Sequence, residues 1–120
     1  MLEPADTQPE TAPRGFTIDV QPRRDQVVVA PSGELDLATT DQVARELDEL
    51  RGSGFRDLVL DLRGLEFMDS SGLALVALSV RTAADAGRRF SVVVADGQVR
   101  RTLELSGLLE RLDLLRRSPA

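Results

Sequence analysis

Three short apolar runs, VVVA at residues 27–30, DLVLDL at 57–62 and FSVVVA at 90–95, alternate along the chain with stretches patterned for helices. Runs of this length and composition suit strands covered on both faces, and strands separated by helices through short connections imply crossover units and a mainly parallel sheet. Ahead of them, in FTIDV, Phe16, Ile18 and Val20 alternate with Thr17 and Asp19, the period of a half-buried strand. A turn through Pro22 to Gln26 joins that strand to VVVAPSGEL, adding an antiparallel edge. Pro31 cannot donate to a ladder, which places it at a strand end or on an edge. The expected fold class is α/β: a small sandwich whose mixed, mainly parallel sheet carries an antiparallel edge, with helices packed against it.

The helices are read from period and caps. In ATTDQVARELDELRGSG, Val43, Leu47 and Leu50 share a face, and Thr39 and Gln42 have capping-box spacing. Gly52 stands where a left-handed residue would end that helix. Leu73 to Val80 is apolar nearly all round, which predicts a largely buried helix that turns more polar and stops at Gly87. QVRRTLELSGL reads as a third helix ending at Gly107, with Val99 and Leu103 four apart. The last segment, LLERLDLLRRSPA, fits a strand or a short helix equally. Residues 1–15 hold three of the six prolines and few apolar groups, so a disordered tail is expected there and the folded domain over 16–117. At 120 residues one domain with a real core is the expected size.

Composition removes whole classes of function. The chain has no Cys or His, and all 15 of its basic residues are Arg. Thiolate and imidazole chemistry, zinc sites, Schiff-base lysines and the lysine of a phosphate-binding loop are thereby excluded. A net charge of −5 argues against nucleic acid or an anionic membrane as the main partner, and no aromatic residues interleave with the arginine pairs. The longest uninterrupted apolar segment, Leu73 to Leu78, is far too short to span a bilayer. A soluble, cytoplasmic protein is expected, the absence of cysteine leaning toward a reducing compartment.

In an open parallel sheet the loops beyond the carboxyl ends of the strands form the usual binding edge. SGELDLATT, RGLEFMDSSG and ADGQ converge there, bringing Asp36, Asp69, Ser70 and Asp96 to one rim. The rim is too acidic to read as a nucleotide pocket, and two carboxylates on separate loops do not define a cation site. No metal, cofactor or catalytic residue is assigned. Ser70 has no imidazole or amine to activate it and no Gly-x-Ser-x-Gly elbow around it, so nucleophilic catalysis is disfavoured. Its place at a helix start suits a phosphate, which adds about −1.5 to −2 charges and would meet free amides and the positive end of the helix dipole. On physics alone, simple capping by Asp69, Ser70, Ser71 and Gly72 is favoured over such a switch.

VVVAPSGELDLATT followed by LVLDLRGLEFMDSSGLALV resembles the STAS-domain family of anti-sigma-factor antagonists, and VRRTLELSGLLERL is similar to that family's third-helix segment. The likeness runs from Phe16 to Leu112 and implies a STAS-like sandwich. It further implies an unphosphorylated form that binds an anti-sigma factor acting also as a serine kinase, and so frees a sigma factor. Phosphorylation at Ser70, the serine directly after the motif aspartate, would switch that binding off, and a serine phosphatase would reset it. Asp36 matches the acid of the upstream motif near the binding surface, and Ser71 matches the second, structural hydroxyl. Asp36, Asp69, Ser70, Ser71 and Gly72 thus form the partner-binding set that the resemblance implies, with no enzyme activity. The alternative within the family is an adaptor subunit of a lipid-transport or signalling assembly, without phosphoswitching. Pro31 inside a strand, Ala74 in place of a frequent glycine and an end too short for the last helix depart from the pattern; the short end would expose apolar surface near Leu112 to Leu115.

Overall fold

The computed structural model describes residues 15–111 and 113–115. A hairpin leads, β1 over Thr17–Arg23 and β2 over Gln26–Leu35, followed by α1 (Thr40–Arg51), β3 (Asp57–Asp61), β4 (Leu65–Met68), α2 (Ser70–Asp85), β5 (Arg89–Val93), α3 (Gln98–Ser106) and β6 (Asp113–Leu115). The order across the sheet is β1-β2-β3-β5-β6, with β4 added alongside β2. Among the described residues only the β1–β2 pairing is antiparallel. This is the mixed, mainly parallel sheet with an antiparallel edge that the alternation of runs implied. Between α3 and β6 lies one 3₁₀ turn, Leu108–Arg111, so the ambiguous last segment is a turn followed by a short strand on β5. Leu112, residues 116–120 and all of the expected tail but Gly15 fall outside the described residues.

The period of two along each strand sorts its side chains between two faces. Val27 and Val29 of β2, Leu58 and Leu60 of β3, and Phe90 and Val92 of β5 join Val43 and Leu47 of α1, Val76 of α2 and Leu103 of α3 in one buried cluster. Val28, Val59 and Val93 point the other way and form a second, smaller one. Double-sided burial of these strands explains why their sequences are continuous rather than alternating.

Several local expectations are corrected. β1 runs through Pro22 to Arg23 and turns over Arg24 and Asp25 alone, because an edge strand has no neighbour to claim the missing proline N–H. Pro31 sits inside β2, not at its end, yet the parallel ladder to β3 stops at Val29 and that to β4 starts at Gly33, so it faces a gap in the hydrogen bonding. At the start of α1, the Thr39 side chain makes no cap hydrogen bond. Its buried hydroxyl instead donates to the Glu34 carbonyl at 2.8 Å and accepts the Asp36 N–H at 3.0 Å. Gly52 is right-handed, with φ −81°; α1 tightens into i→i+3 bonds from Gly52 and Ser53, and the reversal comes at Gly54, with φ +90°. Nor is α2 buried all round. Ala74, Ala77 and Leu78 face outward, Leu78 at 61% exposure, because α2 meets the core through one face, on which Leu75, Val76 and Ser79 are buried.

The short strand β4 lay hidden within what reads as a loop. Its pairing with β2 shifts register between Gly33 and Glu34, and both Leu65 and Met68 are buried while Glu66 and Phe67 are exposed. A bulge of this kind destroys the alternation by which strands are read. Gly33 takes φ +113° at the bulge, a conformation that a side chain would strain.

Candidate functional site

The rim is built where β2 and β4 end side by side, Leu35 opposite Met68. Asp36 follows the first strand and Asp69 the second, and the Asp69 N–H donates to the Leu35 carbonyl at 3.2 Å. That bond locks the start of α2 to the end of β2. Asp69 then caps the helix with its side chain: Oδ1 accepts from the Ser71 N–H at 2.8 Å and from the Gly72 N–H at 3.3 Å. Two of the four donors that a helix start leaves free are thereby satisfied by a negative group placed well for the dipole. The expectation that a phosphate on Ser70 would meet free amides is corrected here, since Asp69 already holds those of Ser71 and Gly72.

Ser70 itself is exposed, and among the described residues its hydroxyl makes no hydrogen bond to Asp36, Asp69 or any other group. Ser71 is half-buried and Gly72 is buried. A Cβ on Gly72 would meet Met68 Cγ at 2.5 Å and Leu35 Cδ2 at 3.0 Å. Gly72 therefore lets the first turn of α2 sit directly on the ends of β2 and β4, beneath the surface that Ser70 presents. It lies within the helix rather than in a turn.

Asp36 folds its loop back on itself. Its Oδ1 accepts from the Ala38 N–H at 3.0 Å, and its own N–H is held by Thr39. The loop so fixed turns Leu37 outward, 79% exposed, and Phe67 on β4 is 39% exposed at the same edge. Neither apolar side chain is an obvious site residue in the sequence. Leu37 looks like a continuation of the apolar pattern of β2, and Phe67 like core.

Gln98 is the other residue that sequence reasoning passes over. Its side-chain amide accepts the Met68 N–H at 2.9 Å and donates to the Met68 carbonyl at 3.0 Å, as a neighbouring strand would, and donates to Thr102 Oγ1 at 2.9 Å. The first turn of α3 thus grips the residue just before Asp69 and brings the Asp96 loop to the rim. No local signal marks such a contact across thirty residues of sequence.

A further ion pair closes the β3–β4 corner. Arg63 Nε and Nη2 donate to the two carboxylate oxygens of Asp61, at 3.0 and 2.9 Å. Burial pushes the Asp61 carboxyl up, but the Arg63 side-chain and backbone hydrogen bonds and its charge outweigh this and hold it below its ordinary value. The same bonds raise the Arg63 guanidinium. Among the described residues there is no group of three or more acids, cysteines or histidines able to hold a metal ion, and no helix is long and apolar enough to cross a membrane.

The family model for the STAS domain matches residues 17–118. The chain belongs to the STAS family. Within it, the chain falls among the anti-sigma-factor antagonists: it is 34% identical over 94 residues to the anti-sigma F factor antagonist of Paenibacillus polymyxa, covering 78% of this chain and 80% of the relative. Among solved structures it resembles an anti-sigma factor antagonist from Mycobacterium paratuberculosis, with a TM-score of 0.80 at 28% identity, over 88% of this chain and 90% of that chain. The phosphorylated form of the Bacillus cell fate determinant SpoIIAA shares the fold, with a TM-score of 0.64 at 23% identity over 86% and 93% of the two chains.

Proposed function

We propose that the unmodified chain binds an anti-sigma factor that is also a serine kinase, releasing a sigma factor, and that phosphorylation of Ser70 ends the binding until a serine phosphatase removes it. The observation that carries this reading is the first turn of α2: an exposed serine hydroxyl with its own helix already capped by the preceding aspartate. A kinase can reach Ser70 without unfolding anything. Family membership supplies the class of partner, and the fold relative SpoIIAA has been described in a phosphorylated form.

Leu37 and Phe67 fit the role of apolar anchors, flanked by Asp36, Asp69, Ser70 and Ser71 as the polar rim, with Gly72 setting the packing beneath. The switch acts through charge. With the Ser71 and Gly72 amides occupied by Asp69, a phosphate on Ser70 stays outside the fold and adds to a rim that already carries Asp36 and Asp69. A partner complementary to the unmodified rim then meets like charge and an extra group to desolvate.

The test is incubation of purified protein with candidate anti-sigma kinases and ATP, with mass mapping of the phosphosite, followed by binding titrations. Phosphate is expected on Ser70 alone, with none on Ser70→Ala. Ser70→Asp should bind more weakly than wild type, and Leu37→Ala and Phe67→Ala should each cost more than about 1 kcal/mol of binding. Undiminished phosphorylation of Ser70→Ala would remove the site assignment; Ser70→Asp binding as tightly as wild type would remove the repulsion mechanism.

A further inference from the structure

The opposite pole of the molecule holds a cleft of about 170 Å³ between the end of α1, the starts of β3 and β5, and the second half of α2. Phe55, Leu58, Ala83 and Phe90 give it an apolar interior, and Leu58 and Phe90 belong to the buried core. Four arginines line it: Arg51, Arg56, Arg88 and Arg89. In a chain of net charge −5, this concentration of one sign beside an apolar hollow is a local reversal of the overall field.

The arginines do not share one structural task. Arg88 donates to the Arg51 carbonyl at 2.7 Å and to the Phe55 carbonyl at 3.3 Å, pinning the chain that leaves α1. Arg51 pairs with Asp48 at 2.6 Å. The side chains of Arg56 and Arg89 have no hydrogen bond or ion pair among the described residues. Two uncommitted cations thus stand beside a hollow of the size that holds benzene in an engineered protein cavity, about 150 Å³.

We propose that this cleft binds a small amphipathic carboxylate, its benzene-sized apolar body against Phe55, Leu58 and Phe90 and its carboxylate at Arg56 and Arg89. Guanidinium groups match a carboxylate with paired, charge-assisted hydrogen bonds, and the apolar interior excludes the water that would compete. A bare inorganic anion leaves the hollow unfilled; a neutral body leaves the arginines unused. The described ends of the chain lie at the other pole, Thr17 opposite Ser32 and Leu115 opposite Val93, away from the mouth of the cleft. The site is therefore separate from the Ser70 rim and stands whether or not that serine is a switch.

With no tryptophan or tyrosine in the chain, the fitting measurement is a two-dimensional 1H–15N NMR titration of the full chain. Benzoate is the probe, with benzyl alcohol and inorganic phosphate as the matched controls. Saturable shifts are expected at the amides of residues 51–58 and 79–90, with benzyl alcohol and phosphate at least about tenfold weaker, a difference of about 1.4 kcal/mol. Arg56→Gln/Arg89→Gln should weaken benzoate by a similar factor while leaving the rest of the spectrum in place. Ala86→Leu, which fills the cleft from an exposed position, should abolish it. The proposal is overturned if benzoate gives no saturable shift, if benzyl alcohol or phosphate binds as tightly, or if either variant binds benzoate like wild type.

Discussion

Replacing Gly72 by alanine tests the packing under the rim. Relaxed carbon contacts lie at about 3.5–4.0 Å, whereas the new Cβ would stand 2.5 Å from Met68 Cγ, so something must move by about 1 Å. Met68 is fully buried, and its backbone is held at both N–H and carbonyl by Gln98, which leaves it little room to yield. Overpacking of this kind costs about 1–3 kcal/mol, and alanine recovers up to about 1 kcal/mol through its better helix propensity. The expected net loss is about 1–2 kcal/mol, a fall of about 5–15 °C in Tm for a domain of this size. Circular dichroism melts at 222 nm, with denaturant titrations for ΔG, measure it. Met68→Ala alone opens a cavity, but in the double variant the two defects occupy the same space. The double variant should therefore be less destabilised than the sum of its parts by about 1–2 kcal/mol. Gly72→Ala as stable as wild type, or strictly additive with Met68→Ala, would refute the reasoning.

Asp69→Ala should lower stability by about 0.5–2 kcal/mol in the same melts through loss of the α2 cap, whereas Asp69→Asn, which can still accept from the Ser71 and Gly72 amides, should lose a few tenths. Gln98→Ala leaves the Met68 N–H and carbonyl without their side-chain partner and is expected to cost about 1–3 kcal/mol, with raised hydrogen exchange at Met68 and Asp69 if the rim loosens as argued. Because the folded-state carboxyl of Asp61 lies below its ordinary 3.8, its ion pair stabilises the fold above that pH, and the contribution is lost as pH falls through the lower folded value. Arg63→Gln should accordingly reduce Tm at neutral pH and flatten its decline below about pH 4; identical Tm-against-pH curves for variant and wild type would contradict the pairing.

The sheet was legible because its strands are buried on both faces, and burial writes itself as unbroken runs such as Val27–Val29 and Leu58–Leu60. Helix α1 was legible through Val43 and Leu47, although its cap was not: Thr39 has the right spacing, but the backbone of Glu34 and Asp36 in the preceding turn claims its hydroxyl. β4 escaped because its bulge puts Leu65 and Met68 on the same side. Of the site, Asp69 and Ser70 could be placed from their position after an apolar segment and before a helix. What their neighbours do could not. Leu37 and Phe67 are apolar letters whose exposure depends on loop geometry, and Gln98 acts on Met68 only once the third helix has docked.

The ten residues of β2 pair with β1 over the first seven, Gln26 to Ser32, with β3 near the beginning and with β4 at the end. Contact order makes the rim an expected late product of folding. Helix α2 is a local structure that can form early, but Asp36 and Asp69 come to one edge only after Leu35 has found Met68, a contact that closes a long loop. A chain with its sheet half zipped has Ser70 but no rim, so a protein that recognises the assembled edge also distinguishes finished molecules from unfinished ones.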